Sequence, residues 1–485
     1  MSASSHALQF HYGDRVLCTD QNSRWYGEVG TVVVMNKQGL GVRFDRDDAP
    51  PSTGRWIKKS VARQVLAPDQ FRPWLRALHV HHNYAARNVT IPVGSREDGL
   101  RHLVLTGRNG SGKSTTLRAL WEELRHGSRG MALARARIQH PDPDQQARAI
   151  ETIVGTSACV EPEYWSDLLD VEIQRRSGQL LAVYVPASRN LSVSAVTAPD
   201  AVRWSAVFAQ DEPSRWLMQY LVDRRTQQAF AAEEGRGADV EKHREWFTRL
   251  EKVLRELLDE PSLSLIFQHS DYRFDLRFRE NGVARFDCLP DGYASLIRIW
   301  ADLALALEAA RGTHPKVSAW HGIALIDEIE AHLHVELQET VLPSLTKLFP
   351  EFQFIVTTHS PAVLSSVDNA TIFDLTKKKS LASADLQGVA YGAIMTGHFG
   401  ISSDMDLDTT RMLERWRRLI HQSHRTPADE TECSKLGAEL SARSPRLGLE
   451  VWSATERPRL EHLLQAQEHD QSPATSRAPA VAGAA

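Results

Sequence analysis

The spacing of apolar positions divides the chain into regions with different periods. From about residue 12 to 66, apolar stretches at 15–18, 27–35, 41–44 and 55–58 are separated by Asp, Asn, Gly and Pro clusters. Short strands with close turns and no helical period predict a small β-barrel over residues 1–68, with 69–73 as linker. Next come two strand-like stretches, 75–93 and 102–107, a glycine loop, and an apolar-periodic helix over 115–125. Residues 126–150 are polar and give little signal. Apolar and polar residues alternate over 160–186 on either side of Arg175-Arg176-Ser177-Gly178, which predicts a hairpin. The period then changes. Trp216, Leu217, Tyr220 and Leu221, and later Trp246, Phe247, Leu250, Val253, Leu254 and Leu257, recur at helical spacing around a break at 233–239. That pattern predicts an antiparallel helical pair, too short for a long coiled-coil arm.

Strands are expected at 264–267, 274–279 and 283–286, followed by a helix over 294–310. An apolar strand at 323–326, a helix at 335–348 and a second apolar strand at 352–357 complete a strand–helix alternation. The fold class expected is α/β. The expected division is a barrel (1–68), a larger α/β head (74–376) with a helical insertion at about 205–260, a helical region (377–467), and a Ser/Pro/Ala/Gly-rich disordered tail (468–485).

Composition narrows the classes without choosing among them. The 485 residues are 42% apolar and 24% charged, with a net charge of −4, which removes any argument for a protein that coats DNA non-specifically. No window approaches the roughly 18 uncharged apolar residues of a membrane span, and the first residues lack the apolar core of a signal peptide. Cytoplasmic residence is the expectation. The four cysteines, Cys18, Cys159, Cys288 and Cys433, have no C-x-x-C spacing, which argues against a disulfide framework and a cysteine-only zinc site.

Chemistry enters at Gly107-Arg108-Asn109-Gly110-Ser111-Gly112-Lys113-Ser114, a full match to G-x-x-x-x-G-K-[ST] placed after a strand and opening a helix. Glycines there let backbone N–H groups turn inward around a β-phosphate, and the helix N-terminus adds partial positive charge. Lys113 would reach the β- and γ-oxygens, Ser114 would ligate Mg²⁺, and Thr115 is placed for the α-phosphate. ATP and Mg²⁺ are therefore the expected cofactors. Hydrolysis also needs a carboxylate on the magnesium shell and a base for the attacking water. The apolar run 323–326 ends in Asp327 and Glu328, adjacent acids that are unfavourable at a buried strand end unless a cation and a water sit there. Asp327 is assigned to the metal and Glu328 to the base. A second apolar strand ends in Thr357-Thr358-His359-Ser360, and His359 is assigned to the γ-phosphate or the attacking water.

In this order, with Leu289-Pro290-Asp291-Gly292-Tyr293-Ala294-Ser295-Leu296 ahead of the acidic strand, the motifs resemble Walker A, signature, Walker B with D-loop, and H-loop of the ABC-ATPase superfamily, in its non-transporter branch of SMC, RecF and OLD-type proteins. The ALIDEIEAHLH stretch (324–334), YVPASRN (184–190) and GYASLIRIWADLAL (292–305) look still more like the ATPases of bacterial anti-phage modules, PtuA-like and retron-associated. The resemblance spans about 75–375. It implies a homodimer, or a larger even-numbered assembly, in which Leu289, Asp291 and Gly292 of one copy close on the nucleotide of the other. It also implies a separate effector, a nuclease being the expectation, because the residues after 375 lack the apolar strands of a Toprim domain. Nucleic acid is possible as a ligand. Pro290 stands where the family signature usually has serine, so slow turnover with ATP acting as a dimer clamp is expected. The alternative is an ATP-stabilised scaffold that sequesters a toxic effector with little turnover. A transporter subunit is disfavoured, because strands intervene between the helical pair and the signature.

Other signals are weaker. The segments around 13–18, 25–33 and 39–45 resemble SH3-like or KOW-type barrels, where Trp25, Tyr26 and Trp56 either line a groove or, as preferred, complete the core. His332 and His334 are read as dimer-seam contacts rather than a metal site. His79, His81 and His82 are read as a solvated face. Asp404, Asp406 and Asp408 are read as acids at a helix N-terminus rather than a nuclease cluster.

Overall fold

The computed structural model describes residues 72–456 apart from short breaks at 96, 141, 177–178, 205–206, 208–211, 280–281, 314–319, 401–404 and 423; of the first 71 residues it describes 15–20, 22–24, 29–35, 39–44, 55–58, 60 and 62–64. Two compact units result, 1–391 and 392–485.

The first unit opens with five antiparallel strands, β1 (Arg15–Cys18), β2 (Val29–Met35), β3 (Leu40–Phe44), β4 (Arg55–Ile57) and β5 (Ala62–Gln64), in the order β4-β3-β2-β1-β5. Val16, Cys18, Val32, Leu40, Val42 and Ile57 form its core. Trp56 is not part of it. On β4 the alternation places Ile57 inward and leaves Trp56 54% exposed, so the preferred core role is corrected for this residue. Trp25 and Tyr26 lie outside the described residues.

A second antiparallel sheet joins β6 (Leu75–His82), β7 (Arg87–Pro92) and β9 (Cys159–Tyr164) in the order β7-β6-β9. Here too an expectation changes. His79 and His81 share a face with Glu163 and Glu161 of β9, His81 Nε2 lying 3.0 Å from Glu161 Oε2. The carboxylates come from some 80 residues away, which is why the local sequence suggested only a solvated face.

The central sheet has the order β10-β14-β15-β8-β16-β17. Its strands β8 (His102–Thr106), β10 (Leu181–Val185), β14 (Gly322–Ile326), β15 (Phe352–Thr357) and β16 (Ala370–Asp374) run parallel, and β17 (Lys379–Ala382) closes one edge antiparallel. Every residue of β8, β14, β15 and β16 is buried. Continuous apolar runs covered on both faces are what a parallel sheet demands.

The expected hairpin over 160–186 does not form. β9 and β10 belong to different sheets, with a helix (Leu168–Arg176) between them. Val171 and Ile173 alternate as a strand would, but Glu172 and Arg175 pair at i,i+3 and stabilise the helix. The stretch after 126 also holds structure: α1 (Lys113–His126) is followed by α2 (Ser128–Gln139) and α3 (Pro143–Val154), then α4 (Leu168–Arg176). Asp142 caps α3 by accepting from Gln145 N, with Pro143 in the first turn.

Between β10 and β14 lie α5 (Leu217–Glu233) and α6 (Gly237–Leu258), joined where the Tyr220 and Trp246 rings meet edge to face. A three-stranded sheet follows, β11 (Ser264–Gln268), β12 (Arg273–Phe278) and β13 (Gly282–Arg285), and then the long helix α7 (Asp291–Thr313). α8 (Val335–Leu348) links β14 to β15.

In the second unit, a helix over Leu407–Ile420 packs Leu413, Trp416 and Leu419 against Cys433, Leu440 and Leu447. Asp406 caps it by accepting from Thr409 N, the helix-terminus role expected of that acidic stretch. A second helix, Pro427–Arg443, opens on a capping box between Thr426 and Asp429. The last part of the expected helical region, 457–467, and the tail lie outside the described residues. Among the described residues no helix is long and apolar enough to cross a membrane.

Candidate nucleotide site

The site forms where the parallel strands end. β8 runs into the loop 107–112, whose Gly107, Gly110 and Gly112 all have positive φ. At two of them nothing larger fits. A Cβ on Gly107 would come within 2.8 Å of Ser111 Oγ, and one on Gly112 within 2.5 Å of Asn83 Nδ2. Asn83 is itself fully buried: its Nδ2 donates to Thr116 Oγ1 at 2.8 Å, and its Oδ1 accepts from Ala86 N at 2.6 Å. It therefore ties the β6–β7 turn to the start of α1. Thr376 supports the other side of the loop by accepting from Arg108 N at 2.9 Å. Neither residue was found by sequence reading, since Thr116 lies 33 residues from Asn83 and Arg108 lies 268 from Thr376.

Lys113 is buried at the first position of α1. Its Nζ donates to Gly107 O at 2.9 Å and Arg108 O at 3.2 Å. Burial lowers its pKa, and Glu328 followed by Asp327 pull the other way. Ser114 Oγ donates to Asp327 Oδ1 at 3.1 Å, so the loop and the acidic strand end meet. Thr357 Oγ1, at the end of the adjacent β15, donates to the same oxygen at 2.5 Å and accepts from Glu328 N at 2.6 Å. The parallel register sets this up, pairing Ile326 with Val356 one step before Asp327 and Thr357.

Glu328 takes a left-handed backbone (φ +46°), rare for a non-glycine residue. Glu330 Oε1 accepts from His359 N at 2.5 Å, while its Oε2 is buried with no hydrogen-bond partner among the described residues. The His359 ring has its pKa lowered, by burial first and then by the Lys113 cation, with Glu330 and Glu328 opposing. Ser360 caps the short turn after β15 and donates to Gln338 Oε1 of α8 at 2.7 Å.

Lys113, Ser114, Asp327, Glu328 and His359 are thus brought together. Arg108, Asn109 and Gly110 form the exposed rim of the loop, Gly112 lies beneath it, and Thr115 lies one step into the helix. Leu289, Asp291 and Gly292 are not part of this cluster: among the described residues none of them hydrogen-bonds to the loop. Instead α7 begins against the turn after β14, where a Cβ on Gly292 would meet His332 O at 2.9 Å. That contact is a reason for glycine at 292 that the sequence did not show. A cavity of about 730 Å³ extends from Ser114 and Thr115 past Tyr84 and Arg118 to Arg129. Tyr84, 71% exposed, borders it.

The residues fit a nucleoside triphosphate with magnesium. Among the described residues Ser111 Oγ is buried without a hydrogen-bond partner and the Lys113 ammonium bonds to carbonyls of its own loop, while Gly107 and Gly112 leave no room for a Cβ. One hydroxyl and one carboxylate suit a metal that keeps several waters and takes phosphate oxygens for the rest.

A family described as "AAA domain, putative AbiEii toxin, Type IV TA system" matches residues 175–365. The chain is 32% identical over 155 residues to the "Retron Ec83 probable ATPase" of Escherichia coli, covering 32% of this chain and 28% of that protein. It is 25% identical over 172 residues to the Septu protein PtuA of Bacillus mycoides, covering 33% and 23%. These matches span about a quarter of the relatives' length. The crystal structure of an Smc head bound to the C-terminal winged-helix domain of ScpA overlays with a TM-score of 0.35 at 15% identity, covering 64% of this chain and 99% of that one. In sequence, the chain is thus similar to ATPases of anti-phage modules, retron and Septu.

Proposed function

We propose that this protein is an ABC-type ATPase that dimerises around ATP and governs a separate effector, a nuclease by expectation, in anti-phage defence or DNA maintenance. The observation that carries the reading is the Ser114–Asp327 hydrogen bond of 3.1 Å beside the buried Lys113. It brings a phosphate loop and a metal-type carboxylate onto one spot. Lys113 would exchange its loop carbonyls for β- and γ-phosphate oxygens, and Ser114 and Asp327 would hold the magnesium between them. Magnesium, when bound, neutralises charge on the transferring phosphoryl group. Glu328 would take the proton of the attacking water. His359, its neutral form favoured by burial, would bond the γ-phosphate or that water. Tyr84 is placed to cover the base, since its exposed ring borders the cavity reached from Thr115.

Among the described residues Leu289, Asp291 and Gly292 make no hydrogen bond to the phosphate loop of their own chain, in keeping with their acting on a second copy. The N-terminal sheet is read as an SH3-like barrel and α5–α6 as a helical insertion of the head. Pro290 offers no hydroxyl, in keeping with slow turnover. The test is ATP hydrolysis and nucleotide-dependent mass of the purified protein. Glu328→Gln should reduce turnover by about 10²-fold or more and accumulate an ATP-bound dimer. Unchanged turnover in that variant, or failure of the unaltered protein to bind ATP, would refute the reading.

A further inference from the structure

The buried guanidinium of Arg189 lies between the acids and α7. Arg189 follows β10 in the YVPASRN segment and is 2% exposed. Nε donates to Pro186 O at 3.1 Å; Nη1 donates to Ser295 Oγ at 3.0 Å and Ile329 O at 3.2 Å. Nη2 donates to Asp327 O, and to Glu328 O at 2.5 Å. All five donors of the side chain are used, and no acceptor is a carboxylate. Three of the acceptors are successive carbonyls of the turn that aims Asp327 and Glu328, and the left-handed Glu328 backbone falls within that turn. Another is Ser295, fully buried in the second turn of α7, whose hydroxyl lies 3.5 Å from Ala331 O on the turn after β14. A second tie follows immediately: Arg298 of α7 donates to Asn190 O at 3.0 Å.

From this geometry we infer that Arg189 is a positioning residue that joins the Asp327–Glu328 turn to the start of α7, so that the metal and base carboxylates and the signature segment move as one body. The inference rests on the ATPase reading for its kinetic consequence only. A lysine cannot replace the fork, because its ammonium offers three donors from one point instead of five spread over a plane. The guanidinium touches only backbone carbonyls of the acids, so its loss would disturb where the carboxylates point rather than the phosphate loop that binds nucleotide.

The experiment uses the full chain and two variants. Arg189→Lys should lower kcat by about tenfold to a hundredfold, the usual cost of losing a group that orients a ligating one. KM for ATP and affinity for a fluorescent non-hydrolysable ATP analogue should stay at the starting values. Ser295→Ala removes the α7 arm alone; it should lower kcat by a smaller factor at unchanged melting temperature and add little to Arg189→Lys in the double variant. Hydrogen exchange supplies a readout independent of turnover: Arg189→Lys should speed exchange in 327–333 and 290–297 together. The inference is overturned if only one of those segments loosens, or neither. It is also overturned if the kinetic loss follows the folded fraction or nucleotide affinity. If the unaltered protein turns over no ATP, the ATPase reading fails, and the exchange experiment still decides the role of Arg189.

Discussion

The same buried strands, β8, β14 and β15, have two ends of opposite character. At the N-terminal end Gln353 and His102 are buried and paired. The Gln353 amide accepts from Leu75 N at 2.6 Å and donates to Leu75 O at 3.0 Å and Arg101 O at 2.9 Å, stapling two sheets together. His102 Nδ1 accepts from Phe354 N at 3.1 Å. At the C-terminal end, Ser111 Oγ and Glu330 Oε2 are buried without hydrogen-bond partners among the described residues, and Lys113 is held by carbonyls it could release. Most buried polar atoms in native proteins are paired, so Ser111 Oγ and Glu330 Oε2, unpaired beside a buried lysine, suit the nucleotide of the proposed reading. At the other end Gln353 and His102 are paired in this way, and the Trp74 indole N–H is a buried exception among the described residues.

This contrast can be broken in order of expected effect. Lys113→Ala should reduce ATP affinity and turnover by about 10²-fold or more, the scale of losing a charge aimed at developing negative charge, while the melting temperature holds or rises as a buried cation is removed; isothermal titration and calorimetry check both. Gln353→Leu should do the reverse. Each polar group deprived of a buried partner costs about 1–3 kcal/mol, so denaturant melts should show several kcal/mol lost with turnover per folded molecule unchanged. A Gln353→Leu protein of full stability would mean that the N-terminal end is not held by its polar staple.

The smallest effect concerns acid. Burial pushes the His102 pKa down to about 4, against an ordinary value of 6.5. The unfolded chain therefore binds this proton first as pH falls, and the stability held above pH 6.5 is lost progressively down to pH 4, by about 3 kcal/mol in all. His102→Asn keeps an acceptor for Phe354 N without the titration. Its stability should fall less steeply between pH 6.5 and 4, and a parallel curve would show that other groups set the acid limb.

The sequence revealed the C-terminal end better than the N-terminal one for a physical reason. Walker A is a local motif, and its eight residues need only a strand before and a helix after. The acids at 327 and 328 end a run so apolar that their chemistry had to be explained. Gln353 interrupts a similar run, yet its partners lie 278 and 252 residues away. Arg189 lay within a quoted segment, but its acceptors are carbonyls, which every residue possesses. The missed hairpin arose because Val171 and Ile173 satisfy a period of two while a helix satisfies the pairing of Glu172. The missed α3 was avoidable: Asp142 ahead of Pro143 is a helix-start signal.

One edge of the central sheet bears on how copies can meet. β17 is only four residues long and antiparallel, and the exposed lysines at 377–379 lead into it. Short, cationic borders repel strand-to-strand annexation by a neighbour. On the proposed reading, a second copy is thereby discouraged from adding a strand at this flank, which leaves the loops where triphosphate would lie as the place for it to meet.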